Sequence, residues 1–310
     1  MLIICCCFVY KNKNDLINFY QRISTKSDPS QDDEKNDNDL DYLSDDMVTF
    51  EKHYDPVSDY EKHFGDVQDI VERGELVVCA KIDDYNVLFQ MKVNDKRYIG
   101  ADIDFAKQIA AALGVRLSYR MIYKTYDDVV DAIARGDGDI GIAKLSYTSE
   151  RSKKILYTSS YAKFKKMVLI NRIFFEKARK NTLRQLLNNR DVAVGVVKGS
   201  SYESFSQTMF PNATVIAEEN WNDDIIQYLV KGKIMATMRD EIRIKSLLKL
   251  HPDLLIKLMP IIISDENDSI AAIVNPNSSQ FLHWLDKFIE TEKKVDTADS
   301  ILKKYEDYVK

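Results

Sequence analysis

Compact apolar blocks alternate with amphipathic segments along the chain from about residue 66 onward. Residues 76–80 and 140–143 are short apolar runs of the kind that form strands buried on both faces of a sheet. Between them, residues 103–113 place apolar side chains at helical spacing. Asp102 is predicted to cap the start of this helix, and Gly114 is predicted to supply the left-handed residue that ends it.

The remaining elements continue the same alternation. Further helices are predicted at residues 66–73, 126–135, 202–210, 223–230, 240–250, 280–291 and 297–308, and further strands at residues 115–122, 192–197, 214–217 and 234–238. Strands that alternate with short helices predict parallel sheets with helical crossovers. Two extended runs, residues 166–171 and 269–275, predict that the chain leaves one lobe, builds a second and returns to the first.

Composition and length narrow the class of protein. The chain has 310 residues, of which 45% are hydrophobic and 30% charged, a balance typical of soluble globular proteins. This balance excludes a multi-span membrane protein and a wholly disordered chain. The length favours two domains or two lobes. Because no broad basic stripe occurs, the sequence does not favour a nucleic-acid partner.

The net charge of −5 is unevenly distributed along the chain. Residues 28–66 contain 14 acidic and 3 basic residues. We therefore predict that residues 24–65 form a disordered, solvated tether, with a partner-binding acidic tail as the alternative. The predicted organisation is an N-terminal stub at 1–23, the tether at 24–65, a first lobe made of 66–170 and 269–310, and a second lobe at 171–268.

The first ten residues are apolar and include Cys5. They are too few for a membrane span, which takes about 20 residues, and they lack the basic region and cleavage site of an ordinary signal peptide. Three interpretations stay open: the end of a signal that starts upstream, a lipoprotein signal with lipid on Cys5, or an apolar terminus without a role. We prefer export, chiefly because of the downstream motifs.

Neither metal nor cofactor chemistry is indicated by the histidines and cysteines. The 4 histidines are scattered, and the 4 cysteines form no CxxC pair or Cys/His cluster with metal-ligand spacing. Cys79 lies in an apolar strand, where it is expected to pack as a small hydrophobic residue. We therefore predict no cofactor and no metal site.

Several motifs occur along the chain, and their joint order is a more specific signal of a protein family than any single motif. They are Gly74-Glu-Leu-Val-Val, Gly100-Ala-Asp-Ile-Asp-Phe, Gly138-Asp-Ile-Gly-Ile-Ala-Lys-Leu-Ser-Tyr-Thr-Ser-Glu-Arg151, Ser159-Ser-Tyr161, Gly195-Val-Val-Lys-Gly-Ser-Ser-Tyr202 and Lys231-Gly-Lys-Ile-Met-Ala-Thr-Met-Arg-Asp240. With these motifs, residues 66–310 resemble the bacterial extracellular solute-binding proteins of family 3, the polar amino-acid receptors of ABC importers. The resemblance implies an α/β fold of the two-lobed, type II periplasmic-binding kind, in which two open, mainly parallel sheets are joined by two hinge strands.

The resemblance also implies a binding site in the cleft between the lobes. A free amino acid brings a carboxylate and an ammonium group, and burying both requires a partner for each charge. By resemblance, Arg151 binds the carboxylate, since its planar guanidinium donates two parallel hydrogen bonds. Ser146 adds a hydroxyl to the same ligand group. Asp240, at the end of a second-lobe strand, accepts the ammonium group.

Four further positions complete the implied site. Gly199 and Ser200 precede a helix start at which the backbone N–H of Ser201 would meet the ligand carboxylate. Tyr85 stands where the family often places an aromatic wall for the ligand side chain. Simpler roles stay open for several of the implied site residues: a surface arginine at 151, helix caps at 200, 201 and 240, and a loop tyrosine at 85.

Lys144 departs from the family pattern, which usually has a small residue two positions before Ser146. Within the cleft its ammonium could pair with a second ligand carboxylate, which would indicate an acidic or modified ligand. Alternatively, its side chain extends to solvent while its aliphatic part packs on the protein. This departure leaves the identity of the amino acid open.

These expectations describe a receptor without catalytic residues that closes two lobes on a small polar solute, an amino acid by resemblance. We expect a monomer outside the cytoplasm, periplasmic or lipid-anchored, with an ABC permease as its membrane partner. Two other functions stay open: a dehydratase-like enzyme on the same scaffold, and a ligand-sensing lipoprotein without a transport partner.

Overall fold

The computed structural model describes residues 47–51, 66–81, 91–94, 97–177 and 182–308. The predictions for the N-terminal stub, for lipidation at Cys5, for most of the tether and for Tyr85 lie outside the described residues. Within the described ranges, no helix has both the length and the apolar character that crossing a bilayer requires.

Strands and helices alternate along the described chain. The strands are β1 (Val48–Glu51), β2 (Glu75–Lys81), β3 (Met91–Asn94), β4 (Arg97–Ile99), β5 (Arg116–Tyr123), β6 (Ile140–Ser146), β7 (Leu156–Asn171), β8 (Ala193–Val197), β9 (Thr214–Glu218), β10 (Ala236–Asp240), β11 (Leu258–Val274) and β12 (Asp296–Thr297). The α-helices are α1 (Val67–Arg73), α2 (Ala101–Leu113), α3 (Tyr126–Arg135), α4 (Arg172–Lys177), α5 (Leu183–Leu187), α6 (Ser201–Met209), α7 (Ile226–Val230), α8 (Glu241–Leu250), α9 (Ser279–Glu292) and α10 (Ala298–Lys304).

The order of the strands divides the main sheet into two parallel halves. The order is β1-β5-β2-β6-β11-β7-β10-β8-β9, with β12 beside β7 and a separate β3-β4 pair. The first lobe contains the parallel strands β1, β5, β2 and β6, and the second lobe contains the parallel strands β10, β8 and β9. The long strands β7 and β11 lie between the halves and pair antiparallel with each other and with both halves.

Glycines end two first-lobe helices, and the sequence predicts this for Gly114. Gly74 after α1 and Gly114 after α2 adopt the left-handed conformation, with φ of 71° and 68°. The prediction that Asp102 caps α2 is wrong, because the cap position belongs to Gly100. Asp102 lies inside the first turn, fully buried, and accepts a 2.7 Å hydrogen bond from the Tyr161 hydroxyl.

The two extended runs predicted between the lobes belong to much longer strands. β7 and β11 span 16 and 17 residues and pair along most of their length. Their register shifts between Ile263, which pairs with Lys166, and Asn267, which pairs with Lys165. On one side of this shift Phe164 and Ile270 join the core of the first lobe. On the other side, Val168 joins the core of the second lobe.

One strand lies where the sequence predicts only a disordered tether. Val48–Glu51 forms β1, which pairs parallel with β5 so that Val48 is opposite Leu117. Val48 also packs against the first-lobe core. The tether prediction is therefore wrong for this stretch. It rests on the average composition of an acidic segment, which does not resolve a short apolar run that can add to a sheet edge.

Candidate functional site

A small cleft is lined by side chains from both lobes. Six of the eight residues predicted for the site line this cleft: Lys144, Ser146, Arg151, Ser200, Ser201 and Asp240. Gly199 contacts the site through its carbonyl oxygen, and Tyr85 lies outside the described residues. The strand ends thus bring together residues that are up to 96 positions apart in sequence.

Arg151 joins the two lobes from a short 3₁₀ turn that follows β6. Only 7% of the residue is exposed, so the interpretation as a surface arginine is wrong. Its Nη2 atom donates to the Gly199 carbonyl at 3.0 Å, and its Nε donates to Asp127 Oδ1 at 3.1 Å. The guanidinium carbon lies 5.9 Å from the centre of the Tyr126 ring. Asp127 is mostly exposed at the rim, so the guanidinium links a buried second-lobe carbonyl to a solvated carboxylate.

Two serine hydroxyls make a second contact across the cleft. Ser201 Oγ donates to Ser146 Oγ at 2.9 Å, and both residues are buried. Ser200 stands at the N-cap position of α6 but makes no capping side-chain hydrogen bond; its hydroxyl donates to the Val197 carbonyl at 2.6 Å. Because the residues at the start of α6 line the cleft, the positive dipole end of this helix faces it, which favours an anion there.

Lys144 and Asp240 form a buried ion pair in the lining of the cleft. Lys144 Nζ lies 2.5 Å from Asp240 Oδ2, and the two side chains are 6% and 1% exposed. Asp240 ends β10 and also caps α8, because its Oδ1 accepts the backbone N–H of Arg243 at 3.0 Å. The helix-cap interpretation of Asp240 is correct but incomplete, and the extension of Lys144 to solvent is contradicted.

The electrostatics of this pair favour the charged form of Asp240. Burial alone would raise the pKa of Asp240, but the Lys144 ammonium and the nearby Arg239 guanidinium more than offset this effect, and the pKa falls below its usual value. Lys144 also has a backbone φ of 48° within β6, alone among the non-glycine residues that the structure describes. This conformation costs about 1–2 kcal/mol, so surrounding contacts must hold the lysine in place.

Three residues that sequence reasoning missed also line the cleft: Tyr126, Tyr202 and Arg239. Tyr126 is the first residue of α3 and follows the carboxyl end of β5, where parallel sheets place ligand contacts. Arg239 immediately precedes Asp240 at the end of β10, and its guanidinium lies 5.4 Å from the Trp221 ring. The strand-end rule could have identified both residues.

A buried carboxyl lies beside the cleft on β11. Asp268 is 2% exposed and accepts a 2.7 Å hydrogen bond from the Tyr202 hydroxyl. Burial raises the pKa of Asp268, and it also raises the pKa of Tyr202. Among the side chains that the structure describes, histidines, cysteines and acids form no group of three that could hold a metal ion.

Comparisons with known proteins agree with this architecture. The model of the family "Bacterial extracellular solute-binding proteins, family 3" matches residues 78–307. A solved ancestral amino acid-binding protein, described as a precursor of cyclohexadienyl dehydratase, is 25% identical with a TM-score of 0.62, and the match covers 77% of this chain and 98% of that one. An amino acid ABC transporter substrate-binding protein from Streptococcus pneumoniae, bound to L-arginine, is 24% identical with a TM-score of 0.62 over 78% and 98% of the two chains.

A curated enzyme is also similar to part of the chain. The cyclohexadienyl dehydratase of Pseudomonas aeruginosa is 28% identical over 185 residues, which are 60% of this chain and 66% of the enzyme. The chain thus spans just under two thirds of that relative's length. Together with the strand order, the likeness to solved structures confirms the predicted two-lobed α/β fold.

Proposed function

We propose, from the premise that this chain belongs to the bacterial extracellular solute-binding proteins of family 3, that it captures a small carboxylate-bearing solute, such as an amino acid or a related organic acid, between its two lobes. The family implies a location outside the cytoplasm. Capture by closure requires ligand contacts from both lobes, because only contacts specific to the closed form shift the equilibrium toward it.

The observation that carries the proposal is the buried Arg151 guanidinium, which lies between the lobes beside the α6 start. Its present acidic partner, Asp127, is 58% exposed and can therefore exchange with another carboxylate at little cost. A ligand carboxylate at this position would reach Arg151 from the first lobe and Ser201 from the second. The ligand would then bridge the lobes through one group.

Lobe boundaries and hinge positions form part of the same proposal. We assign residues 66–170 and 269–310 to the first lobe and 171–268 to the second. The register shift between Lys165 and Lys166 on β7, opposite Ile263 and Asn267 on β11, supports hinges a few residues ahead of these boundaries. Rotation about two adjacent strands would open the cleft without disturbing either core.

Calorimetric titration of the full chain with amino acids and small carboxylic acids tests the proposal. We expect at least one of these compounds to bind, and Arg151→Gln to weaken its binding by at least about 30-fold, because a buried ligand carboxylate would lose its charged partner. Lys154→Gln is the matched control, since Lys154 is 57% exposed in a surface ion pair. An absence of binding to every compound would contradict the proposed function.

We further propose that an ABC permease recognises the closed form, that the protein acts as a monomer, and that it is either periplasmic or anchored by lipid on Cys5. A neighbouring permease gene would support import, whereas an isolated gene would favour a sensing lipoprotein. Mass spectrometry of the native protein would detect lipidation and oligomers.

A dehydratase activity is the second candidate, favoured by the 28% identity to the Pseudomonas aeruginosa enzyme. Incubation with prephenate or arogenate, followed by ultraviolet absorbance, tests it. Turnover that is absent from an Arg151→Gln variant would favour the enzyme over the receptor.

A further inference from the structure

We propose that the cleft selects a small dicarboxylate that has no ammonium group, because Lys144 supplies from within the protein the ammonium that Asp240 would otherwise accept from a ligand. The inference rests on the proposed function and narrows its ligand class. It concerns the same cleft and adds the contacts of Lys144, Asp240 and Arg239 to the carboxylate contact at Arg151.

Both oxygens of the Asp240 carboxylate are already engaged by the protein. Oδ2 faces Lys144 Nζ at 2.5 Å, and Oδ1 accepts the backbone N–H of Arg243 at 3.0 Å. Asp240 is 1% exposed, so solvent does not compete for these oxygens. A ligand ammonium could reach Asp240 only by displacing the lysine or by lying directly beside its ammonium, where two like charges would repel each other in a buried site.

Displacing Lys144 would be costly because its side chain is only 6% exposed. The ammonium would leave its carboxylate partner and stay near Arg239 and Arg151, which line the same cleft. Removing a buried cation from its ion-pair partner is strongly disfavoured. The pair therefore resists exchange, unlike the exposed partner of Arg151.

The charge balance of the cleft points to the same ligand class. Its lining contains three cationic residues, Lys144, Arg151 and Arg239, and the anion Asp240, while Asp127 contacts Arg151 at the rim and the buried Asp268 lies beside the cleft. A ligand carboxylate would take the place of Asp127, and burial raises the pKa of Asp268 and so disfavours its charged form. An amino acid with a neutral side chain brings no net charge to this arrangement. A dicarboxylate without an ammonium group supplies two negative charges and no positive charge. One carboxylate would meet Arg151 and Ser201, and the other would meet the Lys144 and Arg239 cations.

Matched ligand pairs test this inference on the full chain by calorimetry. Glutarate is compared with L-glutamate, and succinate with L-aspartate, because the members of each pair differ by the ammonium group. We expect the dicarboxylate of at least one pair to bind at least 10-fold more tightly than its amino acid. Equal or tighter binding of both amino acids would overturn the inference while leaving the proposed function intact, whereas no binding by any carboxylate would overturn both.

Variants at Lys144 provide a second, independent readout. Lys144→Asn and Lys144→Gly both remove the ammonium and tolerate the positive φ, and Lys154→Asn is the matched control on the surface. We expect both Lys144 variants to weaken dicarboxylate binding by roughly 10- to 100-fold and to reverse the preference toward the amino acid, because Asp240 becomes available to a ligand ammonium. An unchanged preference in folded Lys144 variants would overturn the inference, and the wild-type comparison decides it if neither variant folds.

Discussion

The buried pair of Lys144 and Asp240 makes a specific prediction about stability. Asp240→Asn keeps the shape of the side chain and an oxygen that can cap α8, but it removes the charge that faces the lysine. The separation of 2.5 Å corresponds to about 7 kcal/mol of attraction at an effective dielectric constant of about 20. Most of this attraction offsets the desolvation of the two charges. Because the variant leaves a buried ammonium without its anion, we expect a loss of about 3–5 kcal/mol in the free energy of unfolding.

Urea unfolding of the wild type, Asp240→Asn, Lys144→Asn and the double variant measures this effect. The double variant should lose clearly less than the sum of the single variants, with a coupling of at least about 1 kcal/mol. The control is the pair of Lys154 and Asp131, whose atoms are 2.7 Å apart but whose side chains are 57% and 43% exposed. Asp131→Asn should cost about 0–1 kcal/mol. The reasoning is refuted if Asp240→Asn destabilises the protein no more than Asp131→Asn does.

The stabilisation that the Lys144–Asp240 pair provides depends on pH. Although burial favours the neutral acid, Lys144 and Arg239 lower the pKa of Asp240 in the folded protein below its unfolded value. The stabilisation is therefore complete above the unfolded pKa of about 4 and is lost as the pH falls through the folded pKa. The stability difference between the wild type and Asp240→Asn should stay constant from neutral pH to about pH 4 and then shrink.

Two further predictions concern packing and the second buried aspartate. Gly141→Ala should lower the free energy of unfolding in urea by about 1–3 kcal/mol, because a Cβ at this position would lie 2.6 Å from Cγ1 of the buried Ile273; an unchanged midpoint would contradict the packing of β6 on β11. Asp268→Asn should keep or raise the melting temperature at pH 7. Burial raises the folded pKa of Asp268, so its ionised form destabilises the fold above the unfolded pKa, and asparagine can still accept the hydrogen bond from the Tyr202 hydroxyl. A fall as large as that of Asp240→Asn would show that Asp268 is a stabilising anion.

The sequence was sufficient to predict the helices and strands whose signals are local. The apolar run of β2, the helical spacing of α2 and the left-handed residue at Gly114 are all readable from neighbouring residues. The cap of α2 was misassigned because Asp102 is a good capping residue by type, whereas its burial against Tyr161 depends on the distant strand β7. β1 was missed because its strand character comes from pairing with β5 rather than from composition.

The candidate site was predictable where it follows strand ends and the family motifs. Arg151, Ser146 and Asp240 came from those signals, and the structure brings all three to one cleft. The contact between Lys144 and Asp240 could not be predicted, because it joins residues 96 positions apart whose distance depends on how the two lobes meet. Local patterns carry no information about that distance. A lysine at this position therefore had two open interpretations, and neither was an ion pair within the protein.

A crystal structure of the full chain with the tightest-binding compound of the calorimetric panel tests the central claim most directly. We predict a ligand carboxylate within about 3 Å of the Arg151 guanidinium, contacts from both lobes, and a second carboxylate near Lys144 with the Lys144–Asp240 pair retained. A ligand ammonium on Asp240 with Lys144 displaced would contradict the proposed ligand class. A ligand bound outside the cleft would contradict the proposed function itself.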